Sequence, residues 1–415
     1  MKKTLLTFAA FAFTIICFAG GGKQKKNGGF VKVQGVNLVK PNGDKLFIQG
    51  TNLGNWLNPE GYMFGFTRTN SAWMIDLMIR EMVGPDFAVE FWKDFKDNYI
   101  TAEDIRFIAS NGANTIRLPF NYKLFTDEDY MGLTARQDGF ARVDSVVKWC
   151  RDNNLYLILD MHDCPGGQTG DNIDDGYGYP WLLESEASQR QLCDIWRRIA
   201  ERYKHETVIL GYELANEPIA HYFDNKEELN RKLEPLYKRA VAAIREVDAN
   251  HIILLGGAQW NSNFDMFGNW TFDNNIMYTC HRYGGDATKP AIQSFIDFRD
   301  KTELPMYMGE IGHNTDKWQS DFVKVMKEAN IGYTFWPYKK IDSSCVNAIR
   351  RPAEWDAIVV KFAEADRSTF DAIRAARPDQ TRAKALLREF IENTKFRNCM
   401  PQDDYIRSMG MDTEQ

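Results

Sequence analysis

The chain has 415 residues, 44% hydrophobic and 26% charged, with 51 Lys and Arg against 57 Asp and Glu and a net charge of −6. These proportions exclude a disordered, collagen-like or coiled-coil chain, and the mild acidity offers no electrostatic footprint for nucleic acid. The length suits two or three domains or one large α/β barrel with insertions, and 13% aromatic residues supply flat amphipathic surfaces to a core or a cleft.

Residues 1–19 read as a secretory signal: Lys2 and Lys3 precede an apolar run from Leu5 to Phe18, and small residues follow. Cleavage after Ala19 and a Gly/Lys linker over 20–29 are expected. The run of about 14 residues is short for a membrane span, and no later stretch reaches roughly 18. An exported protein without a membrane span is therefore expected, in the periplasm, the cell envelope or outside the cell. Lipid attachment at Cys17 is the rival, against which Ile16 stands where a lipoprotein signal normally has a small residue. The other six cysteines form no CxxC or zinc-like spacing, so no structural metal is expected, and their pairing stays open.

Phe30 to Gly50 reads as two alternating strands around Pro41-Asn42-Gly43-Asp44, a hairpin signal. A first barrel strand continues to Trp56. Seven more follow: Thr115 to Phe120, Tyr156 to His162, Val208 to Pro218, His251 to Trp260, Asn275 to Gly284, Pro305 to Gly312 and Gly332 to Tyr338. Helical patterns lie between them at Arg142 to Asn153, Glu186 to Tyr203, Glu227 to Val247, Ala291 to Lys301, Lys317 to Asn330 and Pro352 to Ala365. Near-continuous apolar strands alternating with helices imply a parallel sheet covered outside, and eight such units imply an α/β fold of the closed (β/α)8 TIM barrel type. An open doubly wound sheet is the runner-up, but no strand leads into a GxGxxG turn. The insertion Glu60 to Asn98 and a helical tail from Phe370 stand outside the minimal barrel, so the expected division is a catalytic barrel over 30–366 and a C-terminal extension over 367–415.

Active sites of such barrels lie at the carboxyl ends of the strands. Those ends carry Arg117, Asp160-Met161-His162, Asn216-Glu217-Pro218, His281-Arg282-Tyr283, Glu310 and Trp336. Glu217 and Glu310 are 93 positions apart, about 31 per βα unit over three units. Strands three apart face each other across an eight-strand mouth. Opposed carboxylates about 5 to 5.5 Å apart suit a retaining glycosidase, and 6.5 Å or more an inverting one.

Ala215-Asn216-Glu217-Pro218, Met308-Gly309-Glu310-Ile311-Gly312, Asn114 to Pro119 and Leu157 to His162 resemble glycoside hydrolase family 5, the cellulase family, over about residues 30 to 366. The resemblance implies that Glu217 is the acid/base, Glu310 the nucleophile and Asn216 the partner of the sugar 2-hydroxyl. It implies that Arg117 and Tyr283 orient Glu310, that His162 and His281 line the site, and that Trp336 is the sugar platform. Thr51 to Trp56, Phe91 to Phe95 with Ile100 to Asp104, and His162 to Gln168 resemble the branch containing exo-1,3-β-glucanases; the tail beyond Asp366 departs from it. The expected function is a retaining β-glycoside hydrolase, monomeric and without cofactor or metal, acting on a β-1,4- or β-1,3-glucan. A β-mannanase or other β-glycosidase, or a non-catalytic carbohydrate-binding barrel, is the alternative. A metal-dependent hydrolase is disfavoured by six histidines with no HxH or HExxH pair.

Overall fold

The computed structural model describes residues 29–133, 138–174 and 176–411. The signal, Cys17 and nearly all of the linker lie outside the described residues. Eight parallel strands close into a barrel: β1 (Gln49–Asn52), β2 (Thr115–Asn121), β3 (Tyr156–Asp163), β4 (Ile209–Glu213), β5 (Ile252–Gly256), β6 (Ile276–His281), β7 (Met306–Gly312) and β8 (Gly332–Trp336), with β8 paired to β1. Each expected strand is present.

The two-residue period of a strand divides the core. In β3, Leu157, Leu159 and Met161 join the large cluster under the helices, whereas Ile158 belongs to a second cluster inside the barrel. That inner cluster is closed from below by Val31, Leu38, Leu46 and Ile48, which pack on Ile158, Leu210, Ile252, Leu254, Met277 and Tyr307. The floor is a three-stranded antiparallel sheet of Lys32–Gln34, Asn37–Val39 and Lys45–Leu46. The expected hairpin has this extra strand because Gly35, at φ 55°, reverses the chain before the Asn42-Gly43 turn does so again.

Several strands end earlier than the apolar runs suggest: β1 at Asn52, β6 at His281, β8 at Trp336, and β4 and β5 as well. β4 stops at Glu213, since the Asn216 amide turns aside to the Met161 carbonyl (3.1 Å) and Glu217 and Ile219 take φ of 45° and 61°. β5 stops at Gly256, and the expected last helix is a five-residue π turn, Asp356–Val360, followed by Lys361–Ala363. The insertion forms helices Ala72–Val83 and Pro85–Asn98. The tail forms Phe370–Ala376, Gln380–Thr394 and Asp403–Ser408. Phe390 of the tail stacks on Trp355 (4.9 Å) and lies 5.5 Å from Phe64 of the insertion, so insertion and tail share one apolar seam. The six described cysteines are free thiols, and none of the described helices is long and apolar enough to cross a membrane.

Candidate active site

The bulge in β7 puts Glu310 in the mouth: register against β6 and β8 shifts after Met308. Gly309 is needed there, because a Cβ would stand 2.4 Å from Thr279 Oγ1 and 2.8 Å from His281 Nε2. Its carbonyl accepts from Asn52 Nδ2 (3.1 Å) and Thr334 Oγ1 (2.5 Å), which fixes the bulge. Arg117 Nη1 donates to Glu310 Oε1 (2.7 Å) and the Tyr283 hydroxyl donates to Oε2 (2.5 Å). Burial alone would raise the Glu310 pKa, but the electrostatic pull of His281 and then of the Arg117 guanidinium outweighs it and holds it at about 2. The group is therefore an ionised carboxylate at any working pH.

Arg117 is fully buried beneath the site. Its Nε and Nη2 grip Glu213 (2.8 and 2.7 Å), and Nη2 also meets Asn216 Oδ1 (2.8 Å) and Asp160 (3.0 Å). Burial opposes the charge, yet Asp160, Glu213 and Glu310 push its pKa well above the ordinary value. Asp160 also accepts from His162 Nδ1 (2.7 Å). Burial would deprotonate His162, but Asp160 outweighs it and lifts the pKa to about 10. The His162 ring stacks on Trp336 at 5.0 Å and 8°. Gly54 makes room for that indole, since a Cβ there would stand 2.9 Å from its Cη2.

Glu217 sits on a loop. Gln168 holds the loop's base, donating to the carbonyls of His162 (2.7 Å) and Asn216 (2.8 Å) while its own oxygen accepts from the Cys164 amide (2.9 Å). Thr169 Oγ1 caps the Glu217 carbonyl (2.8 Å). The Glu217 carboxylate meets His281 Nδ1 (2.8 Å), which is also 3.6 Å from Glu310 Oε2. One ligand atom each from Glu217, His281 and Glu310 lie within 4.8 Å of one another. Among the described residues no other His, Cys, Asp or Glu grouping of three converges so closely, and these atoms already pair with each other and with Tyr283.

All eight residues singled out in the sequence gather here. Glu217, His162, Tyr283, Glu310 and Trp336 line a cavity of about 340 Å³. Arg117, Asn216 and His281 stand behind that wall. Glu60, Tyr62, Asn172, Ile173 and His313 complete the wall, and the sequence reading singled out none of them as site residues. Glu60 is buried with Oε1 unpartnered and 3.8 Å from His162 Nε2, and burial raises its pKa. The Tyr62 hydroxyl accepts from Trp336 Nε1 (2.6 Å) and reaches His313 Nε2 (3.2 Å). Burial and then Lys340 lower the His313 pKa to about 4, so its ring is neutral where it shares a hydrogen bond with Tyr62. Glu60 and Tyr62 follow Pro59 in a loop with no period, but their place just beyond the carboxyl end of β1 was a usable signal.

The Cellulase (glycosyl hydrolase family 5) model matches residues 79–342, well over half of the chain. The chain belongs to this family of O-glycosyl hydrolases. It is 32% identical to a beta-xylosidase of Phanerodontia chrysosporium over 61% of this chain, spanning about half, 52%, of that relative's length. It is 26% identical to Endoglucanase C of Acetivibrio thermocellus, over 65% of this chain and 92% of that one. A probable glucan endo-1,6-beta-glucosidase B of Aspergillus flavus is 29% identical over 59% of this chain and 67% of its own length. Solved structures share the fold: an endogalactoceramidase (TM-score 0.57, 18% identity, 75% of each chain) and a beta-glucanase from Saccharophagus degradans in complex with cellotetraose (0.52, 18%, 88% of this chain and 94% of that one).

Proposed function

We propose that the chain is a retaining β-glycoside hydrolase of β-linked glucan, with Glu310 as nucleophile and Glu217 as acid/base. The carrying observation is the approach of the two carboxylates, which bring one oxygen each within 4.8 Å of the other and share His281 Nδ1 (2.8 and 3.6 Å), an approach that favours the short separation of a retaining enzyme. Glu310 attacks the anomeric carbon as the glycosidic bond breaks, and Glu217 gives its proton to the departing oxygen. In the second step Glu217 takes a proton from water, the water oxygen bonds the anomeric carbon, and the bond to Glu310 breaks. Two inversions leave the configuration unchanged.

Trp336 offers a flat face to the sugar being cleaved, and Glu60 offers an acceptor to its hydroxyls. Beyond Glu217 the rim carries His221, Tyr222 and Trp260, with His221 and Trp260 ring centroids 4.7 Å apart and Tyr222 half exposed. Such faces suit the pyranose rings of a glycan on the leaving-group side. Glucan-cleaving relatives support glucose over mannose. Export remains our reading of residues 1–19. An activated 2-fluoro glycoside should label Glu310, and a label elsewhere overturns the roles. Products from β-1,4-, β-1,3- and mixed-linkage glucan and from mannan then assign the sugar; no product from any of them favours a binding barrel.

A further inference from the structure

The loop after β5 has a backbone that the reaction described so far leaves unexplained. Gln259, Trp260 and Asn261 take φ of 49°, 58° and 58° in succession, a left-handed run that costs free energy at each non-glycine residue. The surroundings enforce it. Ala258 and Asn263 exchange backbone hydrogen bonds (2.8 and 2.9 Å), and the Gln259 side chain is held by Asn230 of the helix Lys226–Arg245 (2.9 and 3.2 Å). Gly256 and Gly257 leave the space: a Cβ on Gly256 would lie 2.2 Å from Asn261 Oδ1, and one on Gly257 2.4 Å from the Asn263 carbonyl. The result is that Trp260 faces the rim while Asn261 folds back into the barrel, fully buried.

There Asn261 Nδ2 lies 3.1 Å from His281 Nε2, and Asn261 Oδ1 has no partner. On the far side of the ring, Nδ1 meets Glu217 Oε1 at 2.8 Å. We propose that Asn261 is a positioning residue that fixes the tautomer of His281 and thereby directs the acid proton of Glu217. An amide N–H aimed at Nε2 requires a lone pair there, so the ring proton sits on Nδ1 and is donated to Glu217 Oε1. With Oε1 occupied by a donor, the transferable proton belongs on Oε2, which makes no hydrogen bond to any described residue. The inference rests on the acid/base reading of Glu217. The other charges facing His281 are Glu310 (3.6 Å) and, deeper, Glu213, with Arg117 bonded to both.

The test joins a tautomer readout to leaving-group kinetics. In ¹⁵N-histidine NMR, with the signal assigned by its loss in His281→Asn, the wild-type ring is expected to carry its proton on Nδ1 with Nε2 bare. Asn261→Ala should let Nε2 take a proton and slow phenyl β-cellobioside about tenfold more than 2,4-dinitrophenyl β-cellobioside, which needs no acid. Asn261→Asp keeps the size but supplies an acceptor; it should give a doubly protonated ring and move the alkaline limb of the rate to lower pH. A wild-type ring protonated on Nε2, or equal slowing of both substrates by Asn261→Ala, overturns the proposal. Should Asn261→Ala fail to fold, an unmoved alkaline limb in Asn261→Asp overturns it equally. Failure of the acid/base reading shows separately, as loss of the dinitrophenol burst in Glu217→Ala, with the tautomer still readable.

Discussion

Two glutamates share one cavity, yet the protein surrounds them differently. Glu310 stands on a barrel strand and is gripped by Arg117 and Tyr283 above three further buried charges, Asp160, Glu213 and His162. Glu217 stands on a loop in left-handed backbone, with a single side-chain partner at its carboxylate among the described residues, His281. A nucleophile must stay ionised and immobile, and a buried cationic scaffold does both. An acid/base must change charge twice per turnover, and a lightly bonded carboxyl does so without breaking a network. On the proposed roles, the same residue type thus receives two tasks from its environment.

The sharpest break of this contrast is to remove each carboxylate. Glu310→Ala should lower turnover by about 10⁴- to 10⁶-fold for every substrate, the scale at which hydrolases lose rate with their nucleophile. Glu217→Ala should cost about 10²- to 10⁴-fold on a glycan, the range of general acid–base catalysis. With a dinitrophenyl glycoside its first step should survive, giving a burst of phenol and then a stalled enzyme. Equal loss of the burst in both variants, read by stopped flow, would erase the difference in roles.

Stability should divide the same way. Arg117→Met leaves Asp160, Glu213 and Glu310 without their shared cation, which costs about 3 to 5 kcal/mol for a buried pair broken on one side. On the Glu217 side, Thr169→Ala removes one neutral hydrogen bond to a carbonyl and should cost only about 1 kcal/mol. Urea unfolding of the two variants compares them directly; similar losses would mean that the loop is as integral as the strand.

A smaller effect should separate binding from chemistry. Glu60→Gln keeps the size but replaces an acceptor with a donor at the cavity wall, so kcat/KM on the glycan should fall about tenfold or somewhat more, the worth of a hydrogen bond to a charged group. Labelling of Glu310 by the 2-fluoro glycoside should still occur.

Much of this was legible beforehand because the barrel writes itself in repeated local patterns. Leu157 to Met161 alternates in and out, and the polar residues that interrupt the apolar runs, Arg117, His162 and Glu310, do so where the strands reach the mouth. The β4 loop was readable in identity but not in shape: Asn216 and Glu217 looked like the end of a strand because Gln168, six residues beyond His162, pulls them out of the ladder by long-range bonds. Glu60 was hidden for the same reason, since its importance comes from burial against His162 and not from any period. Asn261 was lost just past an apolar run read as strand to Trp260, where the two glycines that allow its turn gave no sign of direction. Local pattern encodes the barrel; contacts between loops complete the site.

A pH signature should accompany these losses, and its sign follows from two groups. Glu310 is held at about 2 against an ordinary 4.5, so the stability it contributes is fully present above pH 4.5 and is lost as pH falls toward 2. His162 is raised to about 10 against an ordinary 6.5, so its contribution is fully present below pH 6.5 and is lost as pH rises through 10. Stability measured in urea should therefore be flat between 4.5 and 6.5 as far as these groups act, and His162→Gln should flatten the decline on the alkaline side alone. Tyr283→Phe deletes the hydroxyl that donates to Glu310 Oε2 without touching Arg117. The Glu310 pKa should then rise by about one unit, since a hydrogen bond to a charged group is worth about 1.5 kcal/mol or more and one unit is about 1.4 kcal/mol. Activity on an activated glycoside should follow, its acid limb moving to higher pH while its alkaline limb stays in place. An alkaline limb that moved with it would mean that Tyr283 acts on Glu217 as well, and the two environments would no longer be separate.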